Sequence, residues 1–289
     1  MAQAGEIAKR LAAIGEEGEL VPMVTSGDRG ASAGKSPAGM KGLFVAEIVG
    51  ALQRGEVDLA VHSAKDLPTG DPEGIAIGAV PERTDPFDVL VRRGPDPLSD
   101  GAVVGTSSLR RRAQLARARP GLRVVSLRGN VDTRLAKLED GEVDGLVLAA
   151  AGLERLGVRP AHLLPLPLEE MVPAPGQGAL AVQVREDDRV TQEIVARLDH
   201  APSRRAFEAE RALVMLVGGG CALPLGAYAE DREGRIRLIA VVAQPDGSEV
   251  IPARAEAPTP EEAAQLAADL LLAGGAGEIL ASALRDGWT

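Results

Sequence analysis

The sequence holds a single cysteine, Cys221, three histidines, and few aromatic residues: three Phe, one Tyr and one Trp among 289. One thiol excludes an internal disulfide framework and fits a reducing compartment. So few His and Cys side chains argue against a structural zinc site, leaving a metal-independent protein or one using metal only through oxygen ligands. With few aromatics, the cores must be built from Leu, Val, Ile and Ala. No apolar run reaches the roughly 18–20 residues of a membrane span. The opening "MAQAGEIAKRLAAIGEEGEL" lacks the basic-then-apolar order of a secretory signal. Positive charge is short too: the net charge of −10 argues against non-specific nucleic-acid binding. The expectation is a cytoplasmic protein with neither nucleic acid nor membrane as partner.

What remains is ordinary soluble material, 45% hydrophobic and 26% charged, in a chain long enough for two or three domains. The charge is uneven. Residues 83–159 carry 14 Lys/Arg against 10 Asp/Glu, leaving −14 for the rest. A basic middle in an acidic chain points to a local site for an anionic ligand, although charge clusters are more often solvated helix faces.

Short Val/Leu-rich runs at 20–25, 57–63, 74–80, 87–93, 102–107, 123–128 and 144–150 read as strands. Helix-length stretches at 42–54, 108–118 and 130–140 lie between several of them. This alternation predicts α/β layers with mostly parallel, doubly covered strands. "GEVDLAVHSAKDL" (55–67) is echoed by "GEVDGLVLAAAGL" (141–153), which fits two similar domains facing each other across a cleft. "PERTDPFD" (81–88) and "MVPAPGQG" (171–178) interrupt the pattern and could join them, with "LAVQVR" (180–185) returning as a strand to the first domain. A helix over 203–217, strands near 224–230, 235–243 and 248–254, and a helix from about 260 to 272 read as a separate small α+β domain. The predicted boundaries are 1–81 with 179–197, then 87–172, then 201–289.

"VVGTSSLRRRAQLARAR" (103–119) is the most informative run. A strand ends in Gly-Thr-Ser-Ser and opens into a helix that Thr106, Ser107 or Ser108 can cap. Arg110, Arg111 and Arg112 follow at once, where cations oppose the helix dipole, so an anion there would offset the cost. "SLRGNVDTRLAKL" (126–138) repeats the arrangement with Arg128 and Arg134, and "GLERLG" (152–157) adds Arg155. From the other domain, "VHSAKDLPTG" (61–70) brings His62, Ser63, Lys65 and Asp66 off one strand end. An Asp facing several Arg suits chemistry that needs a carboxylate to stabilise a developing cation or accept a ring N–H. His62 alone is more often structural and is left out of the chemistry. Lys41 precedes an apolar helix, and residues 30–40 read as a loop that could cover a cleft. "GASAGK" (30–35) is one residue short of a phosphate-binding loop and follows no suitable strand, so a nucleoside triphosphatase is rejected.

Cys221 follows Gly218, Gly219 and Gly220. Most lone cysteines are small buried hydrophobes, but three glycines suit a loop tip that must approach something closely. A thiol there can be a nucleophile, a redox sensor or a covalent anchor.

Taken together, "KGLFVAEI", "DLAVHSAKDLPT", "VGTSSLRRRAQL", "SLRGNVDTRLAKL", "AAAGLERLG", "PAPGQGALAVQ" and "AERALVMLVGGGCALPLGAYA" closely resemble the porphobilinogen deaminase (hydroxymethylbilane synthase) family, from about Gln3 to the C-terminus. The resemblance implies two doubly wound α/β domains facing a cleft, of the type II periplasmic-binding-protein kind, plus a small α+β C-terminal domain. It implies a transferase of tetrapyrrole biosynthesis, working as a monomer. Four porphobilinogen units would be added with loss of ammonia to a dipyrromethane cofactor carried by Cys221, and the linear tetrapyrrole released by hydrolysis. Asp66 would be catalytic; Lys65, Thr106, Ser108, Arg110, Arg111, Arg128 and Arg134 would hold the cofactor; Arg155, Lys41 and Gln177 would meet substrate. Arg112 lies beyond the family's usual arginine pair. Family members usually begin with a strand carrying Gly-Thr-Arg-x-Ser, whereas this chain starts inside the following helix. The alternatives are therefore an N-terminally truncated, inactive relative or an anionic-ligand binding module.

Overall fold

The computed structural model describes residues 1–23, 37–218 and 223–285, for 37–44 and 284–285 in backbone only. The chain opens with α1 (Ala2–Ala13), α2 (Pro37–Gln53), β1 (Leu59–Ser63) and β2 (Ile75–Ala79). It crosses to a second sheet through β3 (Asp88–Arg92), β4 (Val103–Gly105), α3 (Leu109–Ala118), β5 (Arg123–Val125), α4 (Val131–Glu139), β6 (Gly145–Ala149), α5 (Ala150–Leu156) and β7 (Leu163–Pro165). It then returns through β8 (Leu180–Arg185) and α6 (Arg189–Ala196). The C-terminal part is α7 (Ala201–Leu216), β9 (Leu225–Arg232), β10 (Arg235–Ala243), β11 (Val250–Ala257), α8 (Pro260–Ala273) and α9 (Ala276–Arg285).

The first sheet has the order β1-β8-β2, and its central strand is buried on both faces because both are covered. Leu180, Val182 and Val184 pack with Ile7 and Leu11 of α1 and Val195 of α6. Ala179 and Ala181 face the other way, against Val45, Val49 and Leu52 of α2. The second sheet, β5-β4-β6-β3-β7, repeats the plan. Leu146 and Leu148 of β6 meet Leu138 and Leu153 on one face, while Val147 meets Leu115 of α3 and Met171 on the other. This is the α/β class expected, two doubly wound domains.

The expectation of mostly parallel strands does not hold among the described pairings. β4 is parallel to β5 and β6, but β3 is antiparallel to both β6 and β7, and β8 is antiparallel to both β1 and β2. The cause is topological: β3 enters its sheet from the first domain and β8 re-enters from the second, so each runs against its neighbours. Leu20–Met23 pairs with no strand, and the rest of the strand expected at 20–25 lies outside the described residues.

In the C-terminal domain, β11-β10-β9 is an antiparallel sheet. Period-two alternation turns Leu225, Ala227 and Ala229, with Ile236, Leu238 and Ala240, onto α7, α8 and α9. The opposite face, with Tyr228, Ile239 and Val241, packs on Leu168 and Val172 at the end of the second domain. Among the described residues no single helix is long and apolar enough to cross a membrane.

Candidate functional site

Two segments cross between the α/β domains, residues 80–87 outbound and 172–179 inbound, and they touch. Thr84 donates to the Gly178 carbonyl through both its N–H (3.3 Å) and its hydroxyl (3.0 Å). Gly178 has φ +85°, and a Cβ there would lie 2.7 Å from the Thr84 oxygen. Gly176, at φ +72°, lies so close to the Ala64–Lys65 backbone that a Cβ would stand 2.9 Å from it. The glycines of "PAPGQG" thus let one crossover pass the other and the turn that follows β1. That short 3₁₀ turn, Ala64–Asp66, presents Lys65 and Asp66.

A continuous polar chain runs from this turn into the second domain. Lys65 Nζ donates to Gln177 Oε1 at 3.4 Å. The buried Gln177 donates through Nε2 to Asp88 Oδ1 and to the Pro86 carbonyl, both at 2.8 Å. Asp88, the first residue of β3, is fully buried. Its Oδ2 accepts from Arg110 Nη1 at 2.8 Å, and its Oδ1 from Arg111 Nη2 at 2.8 Å and Nε at 3.2 Å. Burial by itself would raise the Asp88 carboxyl, but the charges of Arg110 and Arg111 outweigh it and hold the group well below the usual carboxylate range. Arg110 also donates to the Val172 carbonyl at 2.6 Å, and Arg111 to that of Val147 at 2.9 Å. Burial depresses Arg110 from its ordinary value, Asp88 opposing.

The arginines at the start of α3 are therefore neither solvated nor waiting unpaired: one internal carboxylate serves both. Two guanidiniums on one carboxylate still leave one positive charge. Ser108 caps α3, its hydroxyl accepting from the Arg111 N–H at 3.4 Å, and the Thr106 hydroxyl accepts from the Ser108 N–H at 3.2 Å. Arg134 is depressed by burial and then by the charge of Arg111, which puts it near the pair, and its buried Nε has no hydrogen-bond partner among the described residues. Arg128 is exposed at the turn into α4. Arg155 stands apart: it lies on the crossing itself, donating to Glu6 Oε2 (3.1 Å), Thr84 Oγ1 (3.3 Å) and the Gly178 carbonyl (2.8 Å). His62 is buried on β1 and lowered to about 4, burial outweighing the opposing charge of Asp66. Cys221 and the Lys41 side chain lie outside the described residues.

Beside this chain is a cavity walled by all three domains. Ala64, Lys65, Leu67, Pro68 and Thr69, and Ser108 with Arg110, face Ala174, Pro175 and Gly176, Phe207, Arg211 and Val214 of α7, and Leu223 and Leu225 leading into β9. Leu223 follows Cys221 by two positions. The wall is mostly apolar, with Lys65, Thr69, Ser108, Arg110 and Arg211 as its polar residues. Arg211 is held by Asp71 at 2.9 and 3.0 Å.

Several of these residues escape a reading of the sequence. Asp88 is a lone acid at the head of "DVLVR", and an acid opening a fully buried strand is itself a signal that a cation must meet it. Glu210, in the middle of α7, is completely buried: its oxygens accept from Arg83 (2.7 and 3.2 Å), the Gly176 N–H (2.6 Å) and the Ala229 N–H (2.7 Å). Nothing local marks it, since its partners lie far away in the chain.

Fold and site together define a two-domain α/β cleft protein with cationic groups gathered at its crossovers and a third domain closing one end. Residues 1–193 match the family model "Porphobilinogen deaminase, dipyromethane cofactor binding domain", and residues 205–273 match "Porphobilinogen deaminase, C-terminal domain". Porphobilinogen deaminase of Desulforudis audaxviator (strain MP104C) is 50% identical over 262 residues, 89% of this chain and 85% of the relative. That of Geobacillus kaustophilus (strain HTA426) is 49% identical over 262 residues, with the same two coverages. That of Brevibacillus brevis (strain 47) is 46% identical over 272 residues, 93% of this chain and 88% of the relative. The chain belongs to the porphobilinogen deaminase family. Among solved structures, an ancestral cationic amino acid solute binding protein overlaps at 17% identity and a TM-score of 0.40, over 67% of this chain and 76% of that one.

Proposed function

We propose that the chain is a working porphobilinogen deaminase. It joins four porphobilinogen units head to tail on a dipyrromethane cofactor attached to Cys221, with loss of ammonia at each addition, and releases the linear tetrapyrrole by hydrolysis. The observation that carries this reading is the polar chain Lys65–Gln177–Asp88–Arg110/Arg111. It spans both α/β domains beside a cavity whose third wall includes Leu223, two residues after Cys221.

A group bearing several carboxylates suits these residues. Arg110 and Arg111 keep one positive charge after Asp88 is counted, and Arg134 offers a buried, unpartnered Nε–H. Ser108, Thr106, Arg128 and Lys65 complete the set that would hold the cofactor, with Lys41, Gln177 and Arg155 toward substrate. When bound, the cofactor supplies the nucleophilic pyrrole carbon. The protein's own part is electrostatic. Arginine forks fix acetate and propionate groups. Asp66, on the turn held by Gly176, offers a carboxylate to pyrrole N–H groups and to the positive charge that develops as ammonia leaves. The working form in this reading is a monomer, and a single cysteine suits the cytoplasm. The working units are 1–81 with 179–197, 87–172 and 201–289.

Intact mass with peptide mapping tests this first. An adduct of two linked pyrroles on Cys221 is expected; an unmodified thiol in the folded protein would leave only a carboxylate-binding cleft. Asp66→Ala is expected to abolish bilane formation while the circular dichroism spectrum and melting temperature stay near those of the parent. Near-normal turnover would remove Asp66 from the mechanism.

A further inference from the structure

Arg155 belongs to α5 of the second domain, yet its described hydrogen bonds all leave that domain. Nε donates to Glu6 on α1 of the first domain at 3.1 Å, and Nη2 donates to Gly178 O at 2.8 Å and Thr84 Oγ1 at 3.3 Å. The Gly178 carbonyl thus takes three donors: the Thr84 N–H, the Thr84 hydroxyl and Arg155. Glu6 is held from behind, its other oxygen accepting from Arg10 Nη2 at 2.9 Å, and Arg10 in turn reaches the Glu82 carbonyl at 3.4 Å. The arginine side chain is only 10% exposed and Glu6 only 23%, so water screens the pair weakly.

The geometry has a mechanical meaning. The crossovers are where one α/β domain must turn relative to the other, and Glu6 and Arg155 sit on opposite sides of that joint. Rotation about the crossing changes their separation directly. A substrate carboxylate also competes with Glu6 for the same guanidinium, because Nε and one Nη are already engaged. We propose that the Glu6–Arg155 pair is an interdomain latch: it fixes the two domains in the ligand-free chain and must open before Arg155 can take a carboxylate of the substrate. Glu6 is then a positioning residue, acting through Arg155 and coupling occupancy of the cleft to domain rotation. The substrate half of this rests on the function proposed above; the latch itself does not.

Glu6→Gln keeps the shape of the side chain and removes its charge. Hydrogen exchange of the ligand-free protein is expected to speed up in peptides covering 81–88, 150–156 and 172–180, and to be unchanged in β10, which reports that the fold is intact. A purely structural role for Glu6 would confine the change to α1. In turnover with porphobilinogen, removing the internal competitor is expected to lower KM three- to tenfold without raising kcat. Thr84→Val, which leaves the ion pair and deletes the hydroxyl that accepts from Arg155 and donates to the Gly178 carbonyl, is expected to give the same exchange pattern in weaker form and serves if the glutamine variant folds poorly. Unchanged exchange at both crossovers, or exchange altered in α1 alone, would overturn the latch, and an unchanged KM would overturn the competition between Glu6 and substrate for Arg155. A parent protein that forms no bilane at all would instead overturn the proposed function, and the exchange result would still decide whether the domains are latched.

Discussion

Asp88→Asn is the sharpest perturbation available. The aspartate is fully buried and its two oxygens take four N–H donors: Arg110 Nη1, Arg111 Nε and Nη2, and Gln177 Nε2. Asparagine supplies one acceptor oxygen, turns an amide N–H₂ toward a donor, and leaves two buried guanidiniums without a counter-charge. Breaking a buried pair from one side costs about 3–5 kcal/mol. Three domains need not unfold together, so a single melting curve is the wrong instrument. Hydrogen exchange of the slowest amides in β3 and β6 reads the second domain alone, with β10 as internal control. The Asp88 carboxyl is held below its ordinary range in the folded state. Its contribution is therefore present above the unfolded value of about 3.9 and is lost only as pH falls through the folded one. The gap between parent and variant should be flat from pH 8 to 5 and close only in stronger acid. A gap under about 1 kcal/mol at pH 7, set against the 3–5 expected for a broken buried pair, would refute the reasoning. So would a gap already narrowing between pH 7 and 5.

Two further predictions concern the same neighbourhood. Gly178→Ala is expected to destabilise the protein by more than the 1–3 kcal/mol of backbone strain alone, because the new Cβ would stand 2.7 Å from the Thr84 carbonyl oxygen. Gly234→Ala, at φ +82° with open space around it, supplies the strain-only comparison, and equal shifts in the two would contradict a tight crossing. His62, lowered to about 4 by burial, should show ring NMR signals that do not titrate between pH 8 and 5.5. Because its folded value lies below the unfolded 6.5, any stability linked to it is present above that pH and declines as pH falls toward 4. A midpoint above 6 would show that the ring is solvated.

The sequence made the elements readable and left their partners obscure. Ser108 and Asn130 cap their helices as the motifs require, and the β9–β11 strands follow their alternation, because caps and period-two patterns are local. Strand direction is not local: β3 and β8 have the same apolar look as β6, and only the route between domains sets them antiparallel. The run of arginines after Gly-Thr-Ser-Ser reads as a need for negative charge. That part of it comes from Asp88, 22 residues upstream of Arg110, could not be read from the run. Arg155 is the clearest case. Its place one turn beyond a strand end looks identical to that of a rim residue, and its actual site depends on α1, 149 residues away in sequence.

Glu210 gives the C-terminal domain a particular frame of reference. One carboxylate in the middle of α7 grips Arg83 of the outbound crossover, the Gly176 N–H of the inbound one, and Ala229 of its own sheet. α7 is thereby mounted on the joint, and also on the first domain, where Arg204 reaches the Gly78 carbonyl, Arg211 holds Asp71 and Phe207 enters the core. From Glu210 to the end of the helix is only six residues, about 9 Å at 1.5 Å per residue. Gly218, just past that end, and Leu223, on the cavity wall, bracket the segment holding Cys221. Under the function proposed above, a chain growing from Cys221 would be tethered to the joint and the first domain while the second domain turns about it, as a fishing line stays with the spindle and not with the rim of the reel.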